Sequence, residues 1–252
     1  WKVQDLREPD TTENRFTSSA PKPIEVVTSH STGGARDRER IPSPLRMAVL
    51  DLRSVMEEIH DDVKELEASL HQYSPKERLR IESEFLDQAQ SVFAARLSDS
   101  VAEFERVSQD AKELGLKEDL AGYARRNLYP QVLSSPFMSR IVERPIGVPG
   151  DFDMLGQILG SRFRGGSLFA RIINQWILSN PATDAYRFRI ALLEKHMREL
   201  VSGKGESGGP TSILSMASGV AYEVQRYVAN PETGQAAITL VDFSEDTLAE
   251  AR

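Results

Sequence analysis

The stretch that decides the fold begins at residue 211 and reads Thr211-Ser212-Ile213-Leu214-Ser215-Met216-Ala217-Ser218-Gly219-Val220-Ala221. Its first six residues form a short apolar run that is typical of a buried β-strand. The small residues after Met216 predict a turn. Val224, Tyr227 and Val228 then recur on one face of a helix predicted over 220–228.

A second strand is predicted at Ala236-Ala237-Ile238-Thr239-Leu240-Val241, after the turn signal Asn230-Pro231-Glu232-Thr233-Gly234. Asp242 follows this strand directly, and Ser244 can cap a further helix that starts at Glu245. From Ile213 to Asp242 the unit spans 30 residues, the size of a strand-helix-strand crossover. In such a unit, the first turn and the end of the second strand flank one cleft.

The turn suits a cofactor that approaches the backbone closely, because the small residues Ala217, Gly219 and Ala221 leave room for it. Asp242 lies 23 residues after Gly219, and an acid at about that distance can accept hydrogen bonds from two ribose hydroxyls. A dinucleotide loop would carry three glycines, so this loop favours S-adenosylmethionine over a nicotinamide cofactor. A nicotinamide oxidoreductase and a merely structural turn are the alternatives.

A family resemblance follows from these residues. Ser215-Met216-Ala217-Ser218-Gly219 with Glu223, and Leu240-Val241-Asp242-Phe243-Ser244, resemble motif I and the second-strand acid of class I S-adenosylmethionine-dependent methyltransferases. The sequence departs from the pattern at Ala217 and Ala221, where many members carry glycine, and at Ser215, where many carry an acid. The resemblance implies that the cofactor is bound by Ala217, Ser218, Gly219, Ala221, Glu223, Asp242 and Phe243.

An upstream segment makes the resemblance more specific. Arg144-Pro145-Ile146-Gly147-Val148-Pro149-Gly150-Asp151-Phe152 is similar to a signature of methyltransferases of extracellular-factor (3-hydroxypalmitic acid methyl ester) biosynthesis, with Val148 in place of the usual tyrosine. The same pattern is fitted by Ser167-Leu168-Phe169, Asn174-Gln175-Trp176 and Ala185-Tyr186-Arg187-Phe188-Arg189. The resemblance covers about 45–252 and implies methyl transfer to a carboxylate, such as that of a hydroxy fatty acid, in the synthesis of a quorum-sensing signal. It identifies no catalytic residue.

Four upstream residues are candidates for a substrate or lid site: Gly147, Gly150, Asp151 and Arg187. The glycines bracket a tight turn, and Asp151 can cap a helix that begins at Phe152. A lid that encloses the cofactor or an acyl substrate is the alternative. Arg187 and Arg189 are interpreted as solvated helix residues, with a carboxylate clamp as the alternative.

The fold class predicted is a mostly α N-terminal domain over 45–202, followed by the start of an α/β Rossmann-like domain over 210–252. Residues 1–44 are polar and predict a linker or tail. A long helix is predicted from Leu45, and Ser74-Pro75 with Glu77 predicts a capping box for a second one that ends at Gly115. We expect an antiparallel hairpin, with a coiled-coil homodimer as the alternative. Further helices are predicted over Lys117–Leu128, Phe152–Leu159, Ser167–Leu178 and Ala182–Val201.

Composition limits the function classes. The 252 residues carry a net charge of -7, which gives no cationic field for nucleic acid. There is no cysteine and the four histidines lie far apart, so no metal is predicted. No apolar stretch reaches the roughly 20 residues of a bilayer span and no signal peptide opens the chain, so we expect no transmembrane segment and a cytoplasmic location.

The sequence stops in the helix after the second predicted strand, whereas a full methyltransferase sheet has more strands. We therefore expect this fragment to be inactive alone and to bind the cofactor weakly at best. The expected partner is a small-molecule or acyl substrate. The alternative function is a non-catalytic helical sensory or dimerisation module with a degenerate Rossmann-like half.

Overall fold

The computed structural model describes residues 40–145, 151–203, 211–230 and 235–251. In chain order the helices are α1 (Ser43–Ser69), α2 (Pro75–Glu113), α3 (Lys117–Val132), α4 (Pro136–Glu143), α5 (Phe152–Leu159), α6 (Leu168–Ile177), α7 (Pro181–Ser202), α8 (Tyr222–Ala229) and α9 (Glu245–Glu250). Two strands, β1 (Thr211–Met216) and β2 (Ala236–Val241), form a parallel sheet. This part of the chain is therefore mostly helical with a small α/β element, as predicted.

The chain divides into two compact units. The helical unit contains the described residues 40–145 and 160–180, and the sheet unit contains 151–159, 181–203, 211–230 and 235–251. Helices α5 and α7 thus belong with the sheet by contact, although they precede it in sequence. The domain boundaries predicted at residues 44, 202 and 210 stay predictions.

The helical unit is built on the predicted hairpin of α1 and α2. Apolar residues at helical spacing on α1 are buried, namely Leu45, Val49, Leu52, Met56, Ile59 and Val63. Across the hairpin, Arg96 of α2 pairs with Asp62 at 2.8 Å and Glu58 at 2.9 Å. The capping box of Ser74 and Glu77 is present, and Gly115 follows α2 with φ of 72°. The intramolecular hairpin is confirmed, and the homodimer stays a prediction.

A buried polar side chain joins α4 to α6 within this unit. The Asn174 Oδ1 atom accepts from Ser135 Oγ at 2.8 Å and from the Phe137 N–H at 3.2 Å. Its Nδ2 donates to the carbonyl of Arg162 at 2.8 Å. Asn174 is fully buried, and these bonds satisfy both ends of its amide, which a buried polar group requires.

The sheet unit has its core on one face of the two strands. Buried members of this core are Met197, Ala221, Val224, Tyr227, Ile238, Leu240 and Ala251. On the opposite face, Leu214 and Met216 are 61% and 73% exposed. The strands begin and end at the predicted residues, and α9 starts at Glu245 as predicted. None of the helices that the structure describes is both long and apolar enough to cross a membrane.

Candidate functional site

The parallel register places the ends of the two strands side by side. Thr211 is paired with Ala236 and Met216 with Val241, so the loop after β1 lies beside the residue after β2. Asp242 accepts the Gly219 N–H through Oδ2 at 2.8 Å and the Ser244 N–H through Oδ1 at 3.0 Å. The glycine turn and the acid predicted from the sequence are therefore direct neighbours at one edge of the sheet.

The carboxylate of Asp242 keeps acceptor capacity beyond these two bonds. An ionised carboxylate offers about four lone-pair sites, and the backbone occupies two of them. Asp242 is half-buried, so its remaining sites are reachable from outside. A pair of ribose hydroxyls is a chemically suitable partner for them.

The loop between β1 and α8 has an unusual backbone. Ala217, Gly219 and Ala221 all have positive φ, at 52°, 56° and 51°. The left-handed region suits glycine, and an L-residue there costs roughly 1 to 2 kcal/mol. The two alanines at which the sequence departs from motif I thus stand where the backbone favours glycine. The Ser218 N–H holds the loop to β2 by donating to the Val241 carbonyl at 3.0 Å.

The outer side of the loop is open. A Cβ added to Gly219 would meet no atom within 4 Å. Phe243 follows Asp242 and is 91% exposed, so it offers an apolar ring beside the carboxylate. Open space, free acceptor sites and an aromatic surface together fit the adenosine part of S-adenosylmethionine.

Ala221 packs into the core, whereas its small size predicted that it leaves room for a cofactor. Its side chain is 2% exposed and packs in the core of the sheet unit with Val224 and Leu240. The methyl group therefore faces away from the open side of the loop. Ala217 is exposed and Ser218 is half-buried, and the Ser218 hydroxyl donates to the Gly219 carbonyl at 3.3 Å.

The upstream candidates are only partly visible. Gly147 and Gly150 lie outside the described residues. Asp151 is buried, and its Oδ1 accepts the Met154 N–H at 2.8 Å, which confirms that it caps α5. The lid role stays a prediction.

Arg187 lies between α7 and the end of α5. Its Nε donates to the Ile158 carbonyl at 2.8 Å, and its Nη1 pairs with Asp184 at 2.7 Å. The side chain is only 20% exposed, so its interpretation as a solvated residue is wrong. The Nη2 atom is buried without a hydrogen-bond partner in the residues that are described, which leaves its two N–H groups for an acceptor such as water.

Two tyrosines lie near the start of α8: Tyr222, which was not singled out in the sequence, and Tyr186 of α7, which was quoted only within Ala185-Tyr186-Arg187-Phe188-Arg189. The Tyr222 hydroxyl donates to the Phe152 carbonyl at 3.3 Å. On α7, the Arg189 guanidinium lies 4.8 Å from the centre of the Tyr186 ring. Burial raises the pKa of Tyr186; Arg189 acts against this shift and the negative charge of Glu223 adds to it. Burial likewise raises the pKa of Tyr222, with Tyr186 the next contributor.

A cavity of about 250 Å³ lies beneath α8, lined largely by apolar side chains such as Val224, Val228 and Leu240. Ala221 also lines it, but neither Gly219 nor Asp242 does, so the cavity lies on the side of the loop away from the proposed site. In the described ranges, no three His, Asp or Glu side chains come together as a metal site.

In comparisons with known proteins, no family model, curated protein or solved structure matches the chain.

Proposed function

We propose that this chain binds S-adenosylmethionine through the β1–α8 loop and Asp242, and that it is part of a class I methyltransferase with a Rossmann-like cofactor domain. The observation that carries this proposal is the pairing of Gly219 with Asp242 at the carboxyl edge of a parallel strand pair. The cofactor's ribose hydroxyls donate to the free acceptor sites of Asp242, and its adenine packs against Phe243. The exposed ring of Phe243 supports this arrangement.

The same pairing argues against a nicotinamide dinucleotide. A dinucleotide loop directs its backbone N–H groups at the pyrophosphate. Here the Gly219 N–H is already bonded to a carboxylate. A sulfonium cofactor carries no phosphate and does not need this N–H.

The reaction proposed is methyl transfer to a carboxylate, such as that of a hydroxy fatty acid. Bound S-adenosylmethionine supplies an electrophilic methyl group on its sulfonium. Asp242 and the loop would hold the nucleoside in place, so that the methyl group points to one side. An ionised carboxylate acceptor needs no strong base, and orientation and exclusion of water do the remaining work.

Calorimetric titration tests the cofactor assignment. Wild-type protein and Asp242→Asn are titrated with S-adenosylmethionine, with its product S-adenosylhomocysteine and with NAD. Asp246→Asn is the matched control, because it removes one exposed charge from the first turn of α9. We expect both adenosyl ligands to bind weakly to this chain, and Asp242→Asn to weaken them about tenfold or more while the control binds as wild type does.

Other outcomes select other functions. Tighter binding of NAD would favour an oxidoreductase. If the wild type binds neither adenosyl ligand, the helical sensory or dimerisation module becomes the better proposal, since the helical unit has a hydrophobic core of its own. Binding that does not depend on Asp242 would contradict the proposed site.

A further inference from the structure

We infer that Tyr186, Arg189 and Glu223 hold the amino-acid end of the same cofactor, with Arg189 facing its carboxylate and Glu223 its ammonium group. This inference rests on the proposed function, because it extends the ligand from the nucleoside anchor at Asp242. The observation that carries it is a cation and an anion without ion-pair partners in the described residues, placed around Tyr186 of α7 near the start of α8.

The direction of the ligand follows from the strand order. Asp242 follows β2, and its neighbour β1 lies about 4.8 Å away and continues through the loop into α8. A ligand with its ribose at Asp242 that extends from β2 toward β1 therefore reaches the first turn of α8. Glu223 is in that turn, two residues after the loop, and is half-buried.

Helix α7 brings the other two side chains to the same place. The ion pair of Glu194 with Arg226 at 3.3 Å joins α7 to α8. The starts of both helices contact α5, because Arg187, which follows Tyr186 on α7, donates to the Ile158 carbonyl and Tyr222 of α8 donates to the Phe152 carbonyl. Glu223 follows Tyr222 directly, and its negative charge contributes to the raised pKa of Tyr186.

Among the described residues, no ion pair neutralises the charge of Arg189 or that of Glu223. Glu194 on α7 pairs with both Arg198 and Arg226, whereas neither Arg189 nor Glu223 forms an ion pair in the described part of the chain. The ring of Tyr186 lies against the Arg189 guanidinium at 4.8 Å and so orients it by a cation–π contact.

The loop offers a zwitterion no side-chain charge. Residues 217–221 carry no charged side chain, so charged partners for the ammonium and carboxylate groups must come from beyond the loop. Charge-assisted hydrogen bonds are the strong ones, and an arginine can bind a carboxylate with two parallel bonds. One arginine and one glutamate beside a tyrosine hydroxyl match an α-amino acid in charge and in hydrogen-bonding groups.

Two ligands that differ in the amino-acid end measure the contribution of that end to binding. S-adenosylhomocysteine contains the amino-acid end, whereas 5′-methylthioadenosine has the same nucleoside and sulfur but lacks it. Titration calorimetry with both ligands is carried out on the wild type, Arg189→Gln, Glu223→Gln and Tyr186→Phe. Lys195→Gln is the control, since it removes a positive charge from an exposed position on the same helix. Circular dichroism verifies that each variant is folded.

We expect the wild type to bind S-adenosylhomocysteine at least about tenfold more tightly than 5′-methylthioadenosine. Arg189→Gln and Glu223→Gln should each weaken S-adenosylhomocysteine about tenfold and change 5′-methylthioadenosine less than about twofold. Tyr186→Phe should have a smaller effect in the same direction, and the control should have none.

Three results would overturn the inference. If the wild type binds both ligands equally, or if the variants weaken both ligands by the same factor, the amino-acid end is held elsewhere and the proposed function still stands. If the wild type binds neither ligand, the proposed function fails and the inference fails with it.

Discussion

Oδ2 of Asp242 accepts the backbone N–H of Gly219 at 2.8 Å, so a side chain from the second strand closes the turn that follows the first. The other oxygen accepts the Ser244 N–H at 3.0 Å, just before α9. Asp242 therefore joins the loop before α8 to the start of α9. The carboxylate therefore has a structural role in addition to the proposed contact with the ligand.

The first prediction concerns this double acceptor. Asp242→Asn replaces one carboxylate oxygen with an NH2 group, which cannot accept from a backbone N–H. One of the two N–H groups then loses its partner, and we expect the free energy of unfolding to fall by about 1 to 3 kcal/mol. Urea denaturation followed by circular dichroism measures this change.

The matched control is again Asp246→Asn, which should stay within about 0.5 kcal/mol of the wild type because the residue is exposed. Equal stability of Asp242→Asn and the wild type would mean that neither backbone bond contributes, contrary to the geometry.

A second prediction compares the two alanines with positive φ. In Ala217→Gly, relief of the left-handed backbone outweighs the greater entropy that glycine gives the unfolded chain, so we expect a gain of up to about 1 kcal/mol. In Ala221→Gly the same relief is offset by loss of a buried methyl group, which contributes about 0.8 kcal/mol. Ala221→Gly should therefore leave stability nearly unchanged.

Thermal and urea unfolding of both variants test this difference. Ala249→Gly, at an exposed position inside α9, provides the control for glycine in an ordinary backbone and should lose up to about 1 kcal/mol. A loss of stability in Ala217→Gly as large as in this control would contradict the proposed strain.

Local signals in the sequence were sufficient for the elements of the sheet unit. The apolar run at Thr211–Met216 and the run at Ala236–Val241 are bounded by turn residues, so both strands could be predicted to the residue. The pairing of Gly219 with Asp242 followed because carboxyl ends of parallel strands meet at one edge. The capping box at Ser74 was equally local, since its bonds join residues three positions apart.

Features that depend on how helices pack could not be predicted. The approach of Arg189 and Tyr186 to α8 depends on the register of two helices, and sequence spacing within one helix does not determine it. The burial of Arg187 against the Ile158 carbonyl has the same origin. Helix α4 was not predicted, although Ser135-Pro136 is a recognisable start signal and the Ser135 hydroxyl accepts the Met138 N–H.

A third prediction concerns pH and the helical unit. Burial would raise the pKa of Glu82, but hydrogen bonds from Arg171 at 2.6 Å and Arg78 at 3.1 Å outweigh burial and hold the pKa below its usual 4.5. A carboxyl whose pKa is lower in the folded state stabilises the fold above its unfolded pKa. That contribution is lost as pH falls through the folded value.

We therefore expect the free energy of unfolding of the wild type to decline below about pH 4.5. The free energy of unfolding of Glu82→Gln should decline less over the same pH range, because the variant lacks the carboxyl group that titrates. At neutral pH, Glu82→Gln should cost about 1 to 3 kcal/mol, less than a fully buried pair because both arginines are partly exposed. Denaturation at a series of pH values gives both quantities. Glu84→Gln, which removes an exposed pair of the same helix, is the control, and a parallel pH profile for Glu82→Gln and the wild type would contradict the prediction.

The last prediction concerns Gly156 and Tyr222, which meet where α5 contacts α8 in the sheet unit. A Cβ on Gly156 would lie 2.7 Å from the Tyr222 hydroxyl oxygen and 3.8 Å from the ring carbon that carries it. Gly156→Ala must therefore displace the hydroxyl, which weakens its 3.3 Å bond to the Phe152 carbonyl. We expect a loss of about 1 to 3 kcal/mol, although alanine is the better helix former.

Tyr222→Phe alone should cost about 0.5 to 1.5 kcal/mol, the value of one hydrogen bond. In the double variant the oxygen that clashes is absent, so its loss should be smaller than the sum of the two single losses by at least about 0.5 kcal/mol. Urea unfolding of the four proteins in this cycle measures the coupling directly, and strictly additive losses would mean that the two residues do not share the space that the geometry assigns to them.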